Sequence, residues 1–221
     1  MTADFVIFDL DGTLLNTIGD LAAACNHVME SNGYPTYGLG DYKRFVGSGV
    51  RRLVELAVPS CVPAEEVERM RLEFVDYYSS HIDDKTVPFD GIPELLRSLQ
   101  DAGVGMAVAS NKFHDGTCKL VREYFPEISF SAVFGQRPDV PLKPDPSVVR
   151  EIIEAAGIDR RSPVVLFVGD SGIDMETANA AGAVPVGVTW GFRSVSELKE
   201  HGARYLVNNA AELKDLILNY R

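Results

Sequence analysis

Short runs of consecutive apolar residues recur along this chain, and segments with helical periodicity lie between most of them. The runs occupy residues 5–8, 104–109, 132–134, 164–168, 184–188 and 205–207. A continuously apolar run of this length is typical of a strand that is buried on both faces of a sheet. Strands that alternate with helices form a parallel sheet covered on both sides. The pattern therefore predicts an α/β fold with a Rossmann-like parallel sheet as its core.

Residues 93–102 and 146–156 are examples of the helical segments between these runs. In the first segment, Leu95, Leu96 and Leu99 fall on one face of the predicted helix. Both segments begin with proline and are followed directly by glycine. Proline in the first turn and glycine after the last are common helix boundaries.

The stretch from residue 16 to residue 85 breaks the alternation, because it contains no convincing strand pattern. Its apolar residues instead recur at helical spacing in three segments. The three faces comprise Ile18, Leu21, Ala22, Cys25, Val28 and Met29; Val50, Leu53, Val54 and Ala57; and Val67, Met70, Phe74 and Tyr77 or Tyr78. We therefore expect an all-helical cap over residues 16–85, inserted into an α/β catalytic core of residues 1–15 and 86–221. Linkers near residues 15–17 and 86–91 would join the two parts.

The composition restricts the class of protein and its partners. The 221 residues are 46% hydrophobic and carry a formal net charge of −11, within the range of an ordinary globular protein. An acidic chain is repelled by a nucleic-acid backbone, and no apolar run reaches the roughly 18 residues of a membrane helix. Three scattered cysteines and an amino terminus without a basic region favour a cytoplasmic location. We expect a monomer or homodimer without nucleic-acid or membrane partners.

Aspartates follow two of the predicted strands. Asp9 and Asp11 end the first strand, and residues two apart in an extended segment point the same way. Asp170 follows the strand at 164–168, and Asp174, one helical turn further on, either caps the next helix or supports the site. Ligands bind at the carboxyl ends of strands in open parallel sheets. Two carboxylates there repel each other by about 4 kcal/mol at ~4 Å and an effective dielectric near 20, so a cluster of them suits a cation such as Mg²⁺.

Two further segments at the same predicted edge carry candidate phosphate-binding groups. Lys143 lies between prolines in the loop before a predicted helix, and this stiff loop could direct its ammonium towards the acids. Ser110-Asn111-Lys112 directly follows the strand at 104–109, where a hydroxyl or amide could hydrogen-bond a phosphate oxygen. Taken alone, a loop lysine is usually solvated and Ser-Asn is ordinary turn chemistry. Their position relative to the acids makes them candidates.

Taken in chain order, these segments resemble the four motifs of the haloacid dehalogenase superfamily, phosphatase branch. Residues 9–13 are similar to the first motif, Ser110 to the second, Lys143 to the third and residues 169–174 to the fourth. The helical insertion after the first motif matches the cap of that superfamily. The resemblance covers essentially the whole chain and implies a Mg²⁺-dependent phosphatase that hydrolyses a small phosphate monoester. One departure is Asn16, where many relatives carry Asp.

The resemblance also implies a role for each matching acid. Asp9 would be the nucleophile that forms an aspartyl-phosphate, and it would also be a Mg²⁺ ligand. Asp11 would be the general acid and base, with its backbone carbonyl on the metal. Asp170 would complete the metal site, and Asp174 would support it.

The phosphate itself would be held by the other matching residues. The resemblance implies that Thr13 and Ser110 bind the transferring phosphate, with Asn111 close by. Lys143 would balance the charge between the phosphate and the nucleophile Asp9, which is the main electrostatic requirement of phosphoryl transfer.

The cap would close over this site, exclude bulk water and contact the leaving group. Residues 45–53 look most like the corresponding segment of phosphoglycolate phosphatases. This similarity makes Ser48, Arg51 and the backbone amides of Gly47 or Gly49 candidate substrate contacts. The same residues are also compatible with a simple turn and a surface arginine.

Other functions are compatible with the same motifs. A phosphomutase similar to β-phosphoglucomutase would pass the phosphoryl group from the aspartate to a sugar hydroxyl instead of to water. A non-enzymatic phospho-acceptor also gathers acids and a lysine on a parallel sheet, but Asp11 and an insertion of cap size argue against it. Phosphoglycolate, sugar phosphates, nucleotides and pyrophosphate all remain open as substrates, so a pyrophosphatase or nucleotidase of the same family is a further alternative.

Overall fold

The computed structural model describes residues 3–158 and 164–220, which form eight strands and ten helices. The strands are β1 (Phe5–Phe8), β2 (Leu15–Asn16), β3 (Val87–Pro88), β4 (Gly105–Phe113), β5 (Ala132–Gln136), β6 (Val165–Gly169), β7 (Val184–Val188) and β8 (Tyr205–Val207). The helices are α1 (Ile18–Ser31), α2 (Leu39–Phe45), α3 (Gly49–Ala57), α4 (Ala64–Ser80), α5 (Ile92–Asp101), α6 (His114–Tyr124), α7 (Ser147–Ala155), α8 (Gly172–Ala181), α9 (Val195–Glu200) and α10 (Ala210–Leu218). None of these described helices has the length and apolarity needed to cross a membrane. The predicted core includes residues 1, 2, 159–163 and 221, which lie outside the described residues.

The larger sheet contains six strands in the order β5-β4-β1-β6-β7-β8, and every neighbouring pair is parallel. The side chains of β1 alternate between two hydrophobic clusters, with Val6 and Phe8 in one and Phe5 and Ile7 in the other. All four side chains are buried, because helices cover both faces of a parallel sheet. The predicted α/β fold with a Rossmann-like parallel core is confirmed.

The register of the central strands brings three strand ends to one place. Phe8 at the end of β1 lies opposite Val108 of β4 and Val168 of β6. The acids that follow β1 and β6 therefore emerge side by side. β4 runs beyond the predicted range 104–109 to Phe113, so the Ser-Asn-Lys sequence expected after the strand belongs to it. These polar residues are buried, and Asn111 and Lys112 find hydrogen-bond partners in the adjacent loops, at Lys143 and Asp11 respectively.

Helices α1–α4 form a block beside the sheet, and we refer to these four helices as the cap. The sequence pattern predicts three helices in this stretch, and the structure contains a fourth, α2. Tyr42 is the one buried residue of α2, so the helix lacks the apolar stripe by which the others could be predicted. Strands β2 and β3 are antiparallel, with Leu15 paired to Pro88 and Asn16 to Val87. The two segments that join the cap to the sheet therefore lie side by side.

Candidate active site

A cleft with about 640 Å³ of empty space, part of which is open solvent, lies between the carboxyl ends of the central strands and the cap. The predicted site residues that line it are Asp9, Asp11, Ser110, Asn111, Lys143, Asp170 and Asp174. They come from the ends of β1, β4 and β6 and from the loop before α7. The structure thus brings all four motif segments to one cleft.

Three acids form a buried cluster at the bottom of the cleft. One carboxylate oxygen from each of Asp9, Asp170 and Asp174 lies within 4.8 Å of the other two. Burial raises the pKa of Asp9 to about 7, against the opposing charge of Lys143, and the acids Asp174 and Asp11 add to the rise. Burial, with the charges of Asp174 and Asp9, also raises the pKa of Asp170 well above its ordinary value. Ionised oxygens at this spacing need positive charge, so the donor set fits a divalent cation.

The hydrogen bonds of Asp174 distinguish it from the other two acids. Its Oδ1 accepts from Lys143 Nζ at 2.8 Å, and its Oδ2 accepts from the hydroxyl of Ser171 at 2.6 Å. Ser171 is the N-cap of α8 and forms a capping box with Asp174. Because both oxygens of Asp174 are engaged in this way, Asp9 and Asp170 are the acids with oxygens to offer a metal. Asp170 is not the N-cap of α8, and it lines the cleft.

Lys143 lies among the acids as a buried cation. Its Nζ is 2.9 Å from Asp9 Oδ1 and donates to Asp174 and to the carbonyl of Ala109. Burial alone would lower the pKa of Lys143, but Asp174 and Asp9 outweigh burial and raise it. Asn111 fixes the lysine backbone, since its Oδ1 accepts from Lys143 N at 2.9 Å and its Nδ2 donates to Lys143 O at 3.0 Å. Lys143 is therefore a permanently charged group held against Asp9.

The turn after β1 depends on a glycine. Gly12 has a φ of 86°, and a Cβ at this position would lie 2.3 Å from Asp170 Oδ2. Thr13 follows it and is buried, but it is not among the residues that line the cleft. Its Oγ1 has no hydrogen-bond partner among the described residues, and its carbonyl accepts from Trp190 Nε1 at 3.0 Å. Ser110, by contrast, lines the cleft, and its hydroxyl accepts from the Lys112 amide.

The cap contributes glycines and apolar side chains to the cleft. Gly47 and Gly49 line it, whereas Ser48 and Arg51 do not. The Arg51 side chain is 56% exposed and pairs with Glu55 on the same helix. The structure therefore places Arg51 on the outer surface of the cap. Asn111 Nδ2 also donates to Gly47 O at 2.9 Å, which ties the cap to the catalytic edge.

The cleft also contains residues to which the sequence motifs assign no role. Lys112 Nζ lies 3.0 Å from Asp11 and 2.9 Å from the hydroxyl of Tyr78. The loop after β7 supplies the backbone amide of Phe192 to Asp170 Oδ2 at 2.6 Å, and the guanidinium of Arg193 to carbonyls of the cap. Lys112 belongs to the Ser110-Asn111-Lys112 segment at the end of β4, so its position in the sequence already indicates that it lies near the site. The loop after β7 carries no such signal beyond following a buried strand.

Comparisons with known proteins place this geometry in a family. Residues 6–188 match the family model described as haloacid dehalogenase-like hydrolase. A phosphoglycolate phosphatase from Mesorhizobium japonicum is 33% identical over 195 residues, which is 87% of this chain and 85% of the relative. An N-acetylmuramic acid 6-phosphate phosphatase from Pseudomonas aeruginosa is 33% identical over 216 residues, covering 96% of this chain and 93% of the relative.

Solved structures show the same likeness. The crystal structure of a candidate phosphoglycolate phosphatase from Lactobacillus delbrueckii subsp. bulgaricus has a TM-score of 0.91 and 35% identity, and the match covers 99% of each chain. Phosphatases of this family generally use a divalent metal, which agrees with the buried acidic cluster. The chain therefore belongs to the haloacid dehalogenase-like hydrolases, and it is a phosphatase with a small phosphorylated substrate.

Proposed function

We propose that the protein is a Mg²⁺-dependent phosphatase that hydrolyses phosphoglycolate, or a similar small phosphate monoester, through an aspartyl-phosphate on Asp9. The observation that carries this proposal is the ion pair between Lys143 Nζ and Asp9 Oδ1, 2.9 Å apart at the bottom of the cleft. A buried carboxylate held beside a fixed cation can approach a phosphate dianion without prohibitive repulsion.

Mg²⁺ would be held by the carboxylates of Asp9 and Asp170 and the backbone carbonyl of Asp11. When bound, the ion supplies positive charge that offsets the charge of the phosphate. Mg²⁺ keeps several waters and takes only one or two protein carboxylates, so a site with two carboxylates and one carbonyl is suitable. Asp174 would support the site through Lys143 and Ser171.

The chain's own residues account for the two halves of the reaction. A carboxylate oxygen of Asp9 attacks phosphorus in line, the bond to the ester oxygen breaks, and Asp11 gives a proton to that oxygen. In the second half, Asp11 takes a proton from water, and the water oxygen attacks phosphorus and releases Asp9. Lys143 stays charged throughout and balances the phosphate, while Ser110 donates its hydroxyl to a phosphate oxygen.

Thr13 and Asn111, which the family resemblance places near the phosphate, are not both placed to contact it directly. Thr13 is buried and is not among the residues that line the cleft, so we do not assign it a direct contact with the phosphate. The amide of Asn111 is engaged with Lys143 and Gly47, which makes it a group that holds the lysine loop and the cap. We assign Asn111 to positioning of Lys143 and leave direct phosphate contact to Ser110.

The division into a core of residues 1–15 and 86–221 and a cap of residues 16–85 is part of the proposal. The paired strands β2 and β3 are the natural hinge, because both chain connections pass through them. Closure of the cap would exclude bulk water from the acids and bring Gly47 and Gly49 near the leaving group.

The cap wall of the cleft favours hydrolysis of a small ester over the mutase alternative. The cap residues that line the cleft are Leu21, Val46, Gly47, Gly49, Val50, Leu53 and Tyr78. None of these cap residues carries a charged side chain that could hold the second phosphate of a sugar bisphosphate, and the cations Lys112 and Arg193 that also line the cleft come from outside the cap. The non-enzymatic phospho-acceptor is excluded, because the chain belongs to a family of hydrolases.

N-acetylmuramic acid 6-phosphate is the second candidate substrate, since the relative that acts on it matches nearly the whole chain. The test is to measure kcat/KM on 2-phosphoglycolate, N-acetylmuramic acid 6-phosphate, sugar phosphates, nucleotides and pyrophosphate. We expect inorganic phosphate to be released from a monoester without any sugar bisphosphate present, EDTA to stop it and Mg²⁺ to restore it. Turnover that needs a bisphosphate activator, or that persists in EDTA, would contradict the proposal.

A further inference from the structure

Lys112 is a buried lysine that points into the cleft from the end of β4. Its side chain is 2% exposed, and its Nζ lies 3.0 Å from Asp11 and 2.9 Å from Tyr78 Oη. A desolvated ammonium is costly unless it is paired and hydrogen-bonded, and these two contacts meet that need. Lys143 balances the charge of Asp9, whereas Lys112 contacts Asp11.

The two carboxylate oxygens of Asp11 differ in their hydrogen bonding to Lys112. Lys112 Nζ is 3.0 Å from each of them, but it donates a hydrogen bond to Oδ2. Oδ1 has no hydrogen-bond partner among the described residues, although it is buried. Oδ1 is thus within ion-pair distance of the ammonium but accepts no hydrogen bond among the described residues, so it can exchange a proton with an ester bound in the cleft. Lys112 therefore fixes the orientation of the Asp11 carboxylate through the hydrogen bond to Oδ2 and the ion pair with Oδ1.

Tyr78 extends this contact into the cap. It is fully buried on α4, its ring stacks on Phe74 with centroids 5.3 Å apart, and Lys112 Nζ lies 4.8 Å from the ring centroid. The rotamer of Tyr78 is thus fixed by packing within the cap. A cap that moved away from the sheet would remove one of the two hydrogen-bond acceptors of the ammonium.

We propose that Lys112 is a positioning residue for Asp11, and that Tyr78 makes this positioning depend on the docked cap. This inference rests on the proposed function, because it assumes that Asp11 exchanges a proton with the leaving group. Cap docking then orients the proton donor only when the cleft is closed. Lys112 would then contribute to the reaction as well as to the stability of the sheet.

The test compares two esters that differ in their need for a proton. The 4-nitrophenolate group leaves without protonation, whereas an alkoxide does not. In Lys112→Met, we expect kcat/KM to fall at least about tenfold on the best alkyl phosphate and by no more than about threefold on 4-nitrophenyl phosphate. Tyr78→Phe should show the same pattern to a smaller extent, and adding it to Lys112→Met should cause little further loss on the alkyl ester.

Three variants calibrate the comparison. Asp11→Asn should show the largest difference between the two esters. Tyr77→Phe changes the neighbouring tyrosine, which stacks on His81 outside the cleft, and should leave both values unchanged. Lys119→Met removes another lysine near the cap, bound to Asp83, and should do the same. Activity on 4-nitrophenyl phosphate also reports that each variant is folded.

Each outcome decides something definite. Equal losses on both esters in Lys112→Met, or no loss on either, would overturn the positioning role of Lys112. Fully additive losses in the double variant would overturn the link through Tyr78. If either of these results were found while the wild-type enzyme hydrolyses phosphate esters, the proposed phosphatase function would still stand. A wild-type protein that hydrolyses no phosphate ester would overturn both the proposed function and this inference.

Discussion

The ammonium nitrogen of Lys143 lies 2.9 Å from Oδ1 of Asp9, and both side chains are almost completely shielded from water. Lys143 shares the same nitrogen with Asp174 at 2.8 Å. A buried charge with its partner removed destabilises a protein far more than an exposed one. The ion pair therefore contributes to the stability of the catalytic edge as well as to its proposed chemistry.

Replacement of Lys143 by methionine should impair both properties. Without the cation, Asp9 and Asp174 are left as unpaired buried carboxylates, and we expect unfolding to become easier by about 3–5 kcal/mol. We also expect kcat to fall at least about 100-fold, since a charge aimed at the phosphate is lost. Urea denaturation and steady-state kinetics measure the two effects. Lys119→Met is the matched control, and a Lys143→Met protein with wild-type stability and kcat would contradict the assignment.

The raised pKa of Asp9 predicts how the stability of the metal-free protein depends on pH. The pKa of Asp9 is about 7 in the folded protein, against an ordinary value of 3.8, so between these values the folded state binds a proton that the unfolded state releases. The contribution to stability is complete below the unfolded pKa and is lost as pH rises through 7. In EDTA, the free energy of unfolding should therefore be lower at pH 8 than at pH 5.

Asp9→Asn tests the origin of that pH dependence. The variant has no carboxyl at this position, so its free energy of unfolding in EDTA should change less between pH 5 and pH 8. Mg²⁺ should stabilise the wild-type protein more at pH 8 than at pH 5, because the ionised acids bind the cation. If wild type and variant had the same slope, the pH dependence would arise elsewhere in the chain.

Asp11→Asn should separate proton transfer from metal binding. We expect kcat on an alkyl phosphate to fall by about 10²- to 10⁴-fold, which is the usual contribution of a general acid or base. Affinity for Mg²⁺ should stay within about threefold, since the proposal gives the metal only the backbone carbonyl of this residue. Isothermal titration with Mg²⁺ measures the affinity. A loss of metal affinity as large as the loss of rate would show that the side chain is a ligand.

Arg193 connects the loop after β7 to the cap. Its guanidinium donates to the carbonyls of Lys43, Arg44 and Val46 at the end of α2, where a cation is favoured. Arg193→Gln should weaken cap docking, and we expect KM to rise about tenfold with a smaller change in kcat. Arg44→Gln is a suitable control, because that side chain is 71% exposed and forms an ion pair with Asp41 on the same helix. An unchanged KM in Arg193→Gln would show that the cap docks without this contact.

The sequence allowed the sheet and the acids to be predicted because two local rules coincide. A continuously apolar run forms a buried strand, and parallel strands expose the residues after them at one edge. Asp9, Asp11 and Asp170 follow such runs, and the structure lines one cleft with them. Both rules use only the local sequence and the parallel arrangement of the strands. They therefore do not require knowledge of the contacts between distant side chains.

The cap contacts depend on packing that no local pattern reports. Helix α2 has a single buried side chain, so its periodicity is weak. Arg193 and Arg51 are both arginines next to glycine-containing segments, yet the structure directs the first to the cap carbonyls and the second to Glu55. Lys112 follows Ser-Asn at a strand end, but its contact with Tyr78 requires the docked cap. The contacts of these residues depend on how the helices pack in three dimensions, which the local sequence does not determine.

The most direct test of the central claim is a crystal structure with Mg²⁺ and beryllium fluoride, which mimics a phosphoryl group on a carboxylate. The account predicts a beryllium fluoride adduct on a carboxylate oxygen of Asp9, with Lys143 beside it and Mg²⁺ between Asp9 and Asp170. An adduct on Asp11 or Asp170, or a metal ion bound away from Asp9, would contradict it.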